Sequence, residues 1–273
     1  MPHPPNTLNQ FESLIQVIAD LRGPEGCPWD REQTHETLAP YAIEETHEMV
    51  EAIESKNDTH ICEELGDVLF QVVLHAQLAK ERSAFNIQDV IESITSKIVR
   101  RHPHVFADTQ VNGIEDVFKN WDEIKKIENA NKPQIKKSAI DVPPSLPALQ
   151  RAHKIGEKTE KLKFDWQHAS EVLTQLKAEI AELEEAMCES DSALKSEHLQ
   201  HEMGDVLFSA AQLARHLQLE PESNLREANR RFCQRFDSML TISGLSSAEF
   251  SALEAAKKEL LWSQAKRATS VTK

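Results

Sequence analysis

Apolar residues recur at steps of three and four positions along most of this chain, which is the period of a helix that buries one face. The pattern predicts helices at about 8–22, 32–56, 59–82, 87–101, 113–127, 150–162, 170–189, 194–218, 223–241 and 247–268. The stretch RGPEGCPWD at 22–30 is predicted to be a turn from its glycines and prolines. Abundant Ala, Leu, Glu, Lys and Gln agree with an all-α fold, and only 7 glycines and a single tyrosine argue against a β-rich one.

The predicted helices form two sets, separated by residues 129–149. This stretch holds four prolines and shows no helical period, so it is predicted to be a linker. The chain of 273 residues is long enough for two domains of ordinary size. The predicted domains are residues 1–128 and 150–273.

The two halves repeat the same landmarks in the same order. The phrase ELGDVLF at 64–70 returns as EMGDVLF at 202–208. The tryptophans form two pairs, Trp29 with Trp166 and Trp121 with Trp262. We therefore interpret the halves as two copies of one helical unit, and the period is too long for a solenoid.

The formal net charge of -14 repels nucleic-acid backbones and anionic membranes, so neither is an expected partner. A phosphate substrate remains compatible, because a bound cation inverts the local charge. The N-terminal MPHPPNTLNQ lacks the basic and apolar regions of a signal peptide, and no apolar stretch approaches the roughly 20 residues of a membrane span. The four cysteines form no C-x-x-C pair, which favours free thiols in a reducing compartment. The sequence therefore predicts a soluble cytoplasmic protein.

Acidic residues three positions apart lie on one face of a helix, and such pairs occur in both halves. The pairs are Glu45 with Glu48 and Glu64 with Asp67, then Glu179 with Glu182 and Glu202 with Asp205. A helix end and a short turn between the pairs would bring the carboxylates of each half together. Two such charges roughly 4 Å apart repel by about 4 kcal/mol at an effective dielectric of about 20, and a divalent cation would neutralise them. The pattern predicts Mg²⁺ sites, with Mn²⁺ as a substitute.

The acidic pairs have an alternative interpretation as a solvated helix face, because acids make up 45 of the 273 residues. Their repetition beside a glycine and an apolar run favours the metal site. Glycine inside a helix costs roughly 1 kcal/mol relative to alanine. We interpret Gly66 and Gly204 as leaving room for a neighbouring helix or a substrate between the ligands.

A di-iron helical bundle is a second alternative, since it also uses carboxylates on facing helices. Such a bundle requires Glu-x-x-His in both halves. Glu44 and His47 supply this motif once, but Ala178 and Ala181 stand at the matching positions of the second half. The sequence therefore disfavours iron.

A basic helix follows the acidic pairs in each half. In the second half it carries Asn229, Arg231 and Arg235, and its two arginines share a face that could offer cations to phosphate oxygens. Thr95, Lys97 and Arg101 take the same places in the first half. A solvated surface helix is the alternative, but recurrence after both acidic motifs favours phosphate binding.

Several longer phrases, GCPWDREQTHETLAPYAIEETHE, ELGDVLFQVVLHAQLA and RRHPHVF, together resemble the MazG family of nucleoside triphosphate pyrophosphohydrolases. The second half resembles the same family through EMGDVLF, LARHL, NRRFCQRF and the late Trp262. The resemblance implies two tandem all-α MazG units, with helical bundles completed in a homodimer. It also implies Mg²⁺-dependent hydrolysis of nucleoside triphosphates, ATP and deoxynucleotides included, to the monophosphate and pyrophosphate. Such a reaction belongs to nucleotide catabolism.

The family motif E-E-x-x-E, followed by E-x-x-D, is intact in the first half. There it falls on Glu44, Glu45, Glu48, Glu64 and Asp67. In the second half Ala178 replaces the leading glutamate, and Glu179, Glu182, Glu202 and Asp205 remain. The resemblance implies that these carboxylates hold the metal and carry the catalysis.

The resemblance also distinguishes the halves, because Thr95 interrupts the family's Asn-x-(Lys/Arg)-x-x-x-Arg pattern in the first one. The second half is therefore predicted to be the main catalytic site, with the nucleotide bound by Asn229, Arg231, Arg235 and Trp262. Trp262 has two interpretations, since its ring could stack on a base or pack in a core. The first half is predicted to be a weaker metal site or a structural and dimerising unit. A non-catalytic helical protein that binds nucleotides or a regulatory partner is the alternative function.

Overall fold

The structure is a computed structural model of the chain and describes residues 2–130, 138, 140–189 and 192–270. It divides into two compact units, residues 1–133 and 134–273. One helix continues to Ala130 and the next begins at Ala148. Both ends of the predicted linker are therefore helical, and the helices extend further than the apolar pattern predicts.

The regular elements of the described residues are all helices, which confirms the all-α prediction. The first unit contains α1 Phe11–Arg22, α2 Pro28–Glu32, α3 His35–Ser55, α4 Asp58–Glu81, α5 Ile87–Arg101, α6 Pro103–Phe106 and α7 Ile114–Ala130. The second contains α8 Ala148–Lys161, α9 Ala169–Cys188, α10 Ser192–His216, α11 Pro221–Ser243, α12 Ser247–Ser251 and α13 Ala255–Ser270. By their repeated motifs, helices α3, α4, α5 and α7 of the first unit correspond to α9, α10, α11 and α13 of the second. Among these helices none has the length and low charge that a membrane span requires.

Two short helices begin at a proline that the periodicity alone does not read as a helix start. Pro28 and Pro103 are the first residues of α2 and α6, where the missing N–H would have no partner inside the helix. The predicted turn at 22–30 therefore ends in a short helix.

An apolar cluster forms the core of the described part of the first unit. Its buried members are Ile18, Leu38, Val73, Leu74, Ala76, Leu78 and Ile87. Lys56 ends α3 with a positive φ of 57°, and the Asn57 side chain then accepts hydrogen bonds from the first N–H groups of α4. These two residues turn the chain back, so α3 and α4 pack as a hairpin that carries the acidic motif.

Two histidines pack together beside this core. The His35 and His75 rings are stacked, with centroids 5.1 Å apart, and their Nδ1 atoms lie 2.8 Å from each other. Nε2 of His35 is buried without a hydrogen-bond partner among the described residues. Burial and the neighbouring His35 both lower the pKa of His75 below its ordinary value of 6.5. The lowered pKa favours the neutral form of the His75 imidazole.

We expect the first unit to lose stability in mild acid because of this pair. Below pH 6.5, the ordinary pKa of the ring, the unfolded chain takes up a proton at His75 that the folded chain resists. The free energy of unfolding should therefore decrease as the pH falls below that value and level off below the lowered pKa. Urea midpoints at a series of pH values measure this slope. His75→Leu, which copies the matching Leu213 of α10, should flatten it, and an unchanged slope in this variant would contradict the assignment.

Gly156 allows α8 to lie close to α10 in the second unit. A Cβ atom at this position would meet the side chains of Gln212 and Arg215. Gln212 is only 1% exposed, and it donates to the Ala152 carbonyl at 2.7 Å while accepting from Arg215 Nε at 2.9 Å. Arg215 also pairs with Asp165 at 2.6 Å. The contact between these helices is therefore a buried polar network whose members satisfy one another.

The prediction of one continuous helix over 247–268 is wrong near its start. The structure interrupts it after Ser251 and resumes it at Ala255 as α13. Leu253, inside the interruption, packs against a core cluster of Met239, Phe250 and Ala265. Packing of this leucine against the cluster is a tertiary contact, and the local apolar period does not predict it.

Candidate metal and nucleotide site

The α3–α4 hairpin brings three carboxylates of the first unit together. Glu45 and Glu48 project from α3 and Glu64 from α4, and each offers an oxygen within 4.8 Å of the other two. Glu64 is buried, and its Oε2 has no hydrogen-bond partner among the described residues. A buried carboxylate oxygen without a partner is costly, and a cation bound here would satisfy it. The donor set therefore fits a hard divalent cation.

The electrostatics of Glu45 agree with this arrangement. Burial raises its pKa, and the negative charges of Asp67, Glu48, Glu64 and Glu44 raise it further. Asp67 thus acts on the group electrostatically, although it is exposed and lies outside the three that share the 4.8 Å limit.

The second unit builds a similar group from α9 and α10. Glu179, Glu202 and Asp205 are half-buried and offer oxygens within 4.8 Å of one another. Gln175, one turn before Glu179, donates from Nε2 to its Oε1 at 2.8 Å. Glu182 is exposed and lies outside this group. Three of the four predicted carboxylates therefore converge in each unit. The one that stays outside the group is Asp67 in the first unit and Glu182 in the second.

Histidines that the sequence analysis passes over contact both groups. His60 Nε2 lies 2.9 Å from Glu64 Oε1, and His201 Nε2 lies 3.4 Å from Asp205 Oδ2. Each pair is four residues apart on one helix, so the i, i+4 spacing is the signal that reveals it. His60 thus contacts Oε1 of Glu64, whereas the buried Oε2 has no hydrogen-bond partner among the described residues.

The predicted nucleotide-binding residues lie on α11 and α13. Asn229 is exposed, and Arg231 is exposed and pairs with Glu227 at 3.2 Å. Arg235 is half-buried. Trp262 packs against the cluster of α11, α12 and α13, with its ring centroid 5.1 Å from that of Phe232. A core role for Trp262 is therefore present in the structure, and the nucleotide contacts of all four residues stay predictions.

The two glycines of the repeated phrase face open space. A Cβ atom at Gly66 or Gly204 would meet nothing within 4 Å among the described residues. Among the described residues no neighbouring helix therefore comes close to either glycine, and the approach of a substrate stays a prediction. Gly204 lines a groove with Leu183, Met187 and Met203, which is consistent with such an approach.

A comparison with known families agrees with the two acidic groups. The MazG nucleotide pyrophosphohydrolase domain matches the chain twice, over residues 33–106 and 167–238. Each match contains one of the two convergent carboxylate groups. The chain therefore belongs to the MazG nucleotide pyrophosphohydrolase family and carries its domain in tandem.

Two relatives align over nearly the whole chain, and a third aligns over about half of it. The chain is similar to the nucleoside triphosphate pyrophosphohydrolase/pyrophosphatase MazG of Thermotoga maritima, with 43% identity over 94% of this chain and 95% of the relative. It is 41% identical to a nucleoside triphosphate pyrophosphohydrolase of Escherichia coli K12 over 95% and 98% of the two chains. A Mycobacterium tuberculosis protein of the same name is 38% identical over 55% of this chain and 46% of the relative.

Proposed function

We propose that this chain hydrolyses nucleoside triphosphates, both ribo- and deoxyribonucleotides, to the monophosphate and pyrophosphate in a Mg²⁺-dependent reaction. The class of activity, nucleotide pyrophosphohydrolysis, follows from the family and from the names of its full-length relatives. The observation that carries the proposal is the convergence of Glu179, Glu202 and Asp205 inside the second matched domain. Three carboxylates this close repel one another, and the divalent cation that accompanies a triphosphate would offset their charge.

The residues of the second unit have the following proposed roles. Glu179, Glu202 and Asp205, with Glu182 recruited from its exposed position, would hold Mg²⁺ or Mn²⁺. When bound, this cation supplies charge neutralisation and polarises the phosphate oxygens. Gln175 fixes the orientation of Glu179 through its hydrogen bond.

The reaction needs a water molecule, a proton acceptor and a place for the leaving group. The water oxygen bonds to one phosphorus of the α–β bridge, and the bond from that phosphorus to the bridging oxygen breaks. The bridging oxygen stays on the other phosphorus, so attack at the α-phosphorus expels pyrophosphate and attack at the β-phosphorus expels the monophosphate. A carboxylate of the group accepts the proton that the water loses. Arg231 and Arg235 offset the charge that builds on the phosphate oxygens, and Asn229 binds the sugar or a phosphate. Trp262 is half-buried beside Phe232, and stacking on the base would use the part of its ring that stays exposed.

We also propose that the first unit is a second, weaker metal site. Glu45, Glu48 and Glu64 supply the convergent oxygens, and Asp67 is close enough to raise the pKa of Glu45. The buried Glu64 Oε2 supports a bound cation, while Thr95 leaves the basic helix of this unit without the family's asparagine.

Homodimer formation belongs to the same proposal. A groove of about 700 Å³ runs beside Gly204 and is lined by apolar residues of α9 and α10, among them the exposed Met187, Met203 and Leu207. Covering these side chains would stabilise an assembly through the hydrophobic effect. A second copy is the proposed cover, because the sequence resembles a dimeric family. The absence of nucleic-acid and membrane partners is proposed from the net charge of -14, and a cytoplasmic location from the free cysteines.

A product assay tests the proposed function directly. The full chain is incubated separately with each ribo- and deoxyribonucleoside triphosphate and Mg²⁺, and monophosphate and pyrophosphate are quantified. We expect equal amounts of the two products, loss of both with EDTA, and recovery on adding Mg²⁺ or Mn²⁺. Absence of products with every nucleotide would leave the non-catalytic binding function instead. Release of inorganic phosphate alone would show that a different bond is cut.

A further inference from the structure

The helices that follow the carboxylates can be matched residue by residue between the units. Arg101 and Arg235 each lie 14 positions after the first residue of their helix, α5 or α11. Trp121 and Trp262 each lie seven positions after the first residue of α7 or α13. By the same register, Glu128 in α7 corresponds to Thr269 in α13.

Glu128 binds two guanidinium groups of α5 at once. Arg101 donates from Nη2 to Oε2 at 2.6 Å and from Nε to the same oxygen at 3.2 Å. Arg100 donates to Oε1 from Nε at 2.8 Å and from Nη2 at 2.6 Å. The Glu128 side chain is only 14% exposed. A planar carboxylate clamped in this way resembles the bound phosphate that such arginine groups recognise.

The carboxylate stays charged at neutral pH. Hydrogen bonds from Arg101 and Arg100 lower the pKa of Glu128 to about 2. Its negative charge therefore offsets positive charge on the helix that matches the proposed phosphate-binding helix of the second unit.

The second unit carries no acid at the matching place. Thr269 is neutral, and its hydroxyl donates to the Ala265 carbonyl of its own helix at 3.0 Å. Gln234 replaces Arg100. The difference between Glu128 and Thr269 therefore decides whether the shared arginine already has an anionic partner at this position of the neighbouring helix.

We propose that Glu128 is a built-in anion that occupies Arg100 and Arg101 and so excludes the phosphates of a nucleotide from the first unit. Because the carboxylate is tethered, its effective concentration is high, and a nucleotide must displace it to bind. Glu128 is thus a specificity-determining residue that directs triphosphates to the second unit. The inference rests on the proposed role of Arg235 in phosphate binding.

Binding measurements on the full chain test this role without requiring turnover. Glu202→Gln serves as the background because it disables the proposed catalytic site, and binding of ATP with Mg²⁺ is measured by calorimetry. Adding Glu128→Thr, which copies Thr269, is expected to tighten ATP binding at the first unit by at least about tenfold, the effect of roughly one charge-assisted hydrogen bond. Glu128→Asp keeps the charge and is the matched control, for which we expect less gain.

The reverse substitution keeps the proposal testable even where Glu128→Thr fails to fold. Thr269→Glu in the otherwise native chain is expected to raise the KM for ATP by about tenfold while kcat changes little, because the new carboxylate competes with phosphate for Arg235. The proposal would be overturned if neither Glu128→Thr nor Thr269→Glu changed the binding of ATP. Arg235→Ala separates the causes: if it weakens ATP binding while both Glu128→Thr and Thr269→Glu have no effect, the phosphate role stands and the role of Glu128 falls.

Discussion

Glu202→Gln is expected to reduce pyrophosphate release by at least about 100-fold, because it removes one of three converging charges from the proposed catalytic group. The matched substitution in the first unit is Glu64→Gln. We expect it to change turnover by less than about threefold, because the first unit lacks the family's asparagine and its arginines are bound to Glu128.

The pair of variants distinguishes the units sharply because the two glutamates occupy the same position of the repeated phrase. Monophosphate and pyrophosphate are measured under saturating Mg²⁺, and Mn²⁺ binding is measured in parallel. Each variant should lose about one metal ion per chain, since both carboxylate groups are proposed metal sites. Loss of turnover in Glu64→Gln with full turnover in Glu202→Gln would assign catalysis to the first unit and contradict the proposal.

Two glycine variants of the second unit are expected to change stability in opposite directions. Gly156→Ala should lower the free energy of unfolding by about 1–3 kcal/mol, since the new methyl group would displace Gln212 and Arg215 from their buried network. Gly204→Ala should raise it by about 0.5–1 kcal/mol, because its Cβ would meet open space and alanine favours a helix. Urea unfolding midpoints of the two variants give the comparison.

The same Gly204 variant tests why a glycine stands between two proposed metal ligands. If a second copy or the substrate approaches there, the stabilised variant should lose turnover by roughly tenfold, because small misplacements at a reacting centre are costly. Light scattering on the purified variant then shows whether the dimer is weakened. Unchanged turnover together with unchanged mass would mean that the glycine leaves room for nothing, and the interpretation would be wrong.

Local periodicity explains how much of the fold the sequence predicts. The bounds of α5 agree with the prediction, and those of α3 and α4 lie within a few residues of it, because their apolar period and caps are properties of neighbouring residues. The interruption at Leu253 escapes this reasoning because the burial of that leucine depends on α11.

The candidate site divides in the same way. The spacing of Glu179 and Glu202 places both on hairpin helices, and the structure brings them together as the sequence predicts. Glu182 and Asp67 have the same spacing, but their side chains are exposed and lie outside the groups. The spacing of residues along a helix does not determine this exposure. The prediction that all four carboxylates of each half converge is therefore only partly confirmed.

The sequence by itself determined the helical fold, the duplication and the pairs of carboxylates, because each of these is recognised from short patterns of neighbouring residues. Only the tertiary structure decided that Glu128 binds Arg101 and that Gly156 admits Gln212. These contacts join residues far apart in sequence, and their energies depend on how closely two helices pack. The sequence already separates the proposed roles of the two units at Thr95, and the contact of Glu128 with Arg101 adds a difference that only the tertiary structure shows.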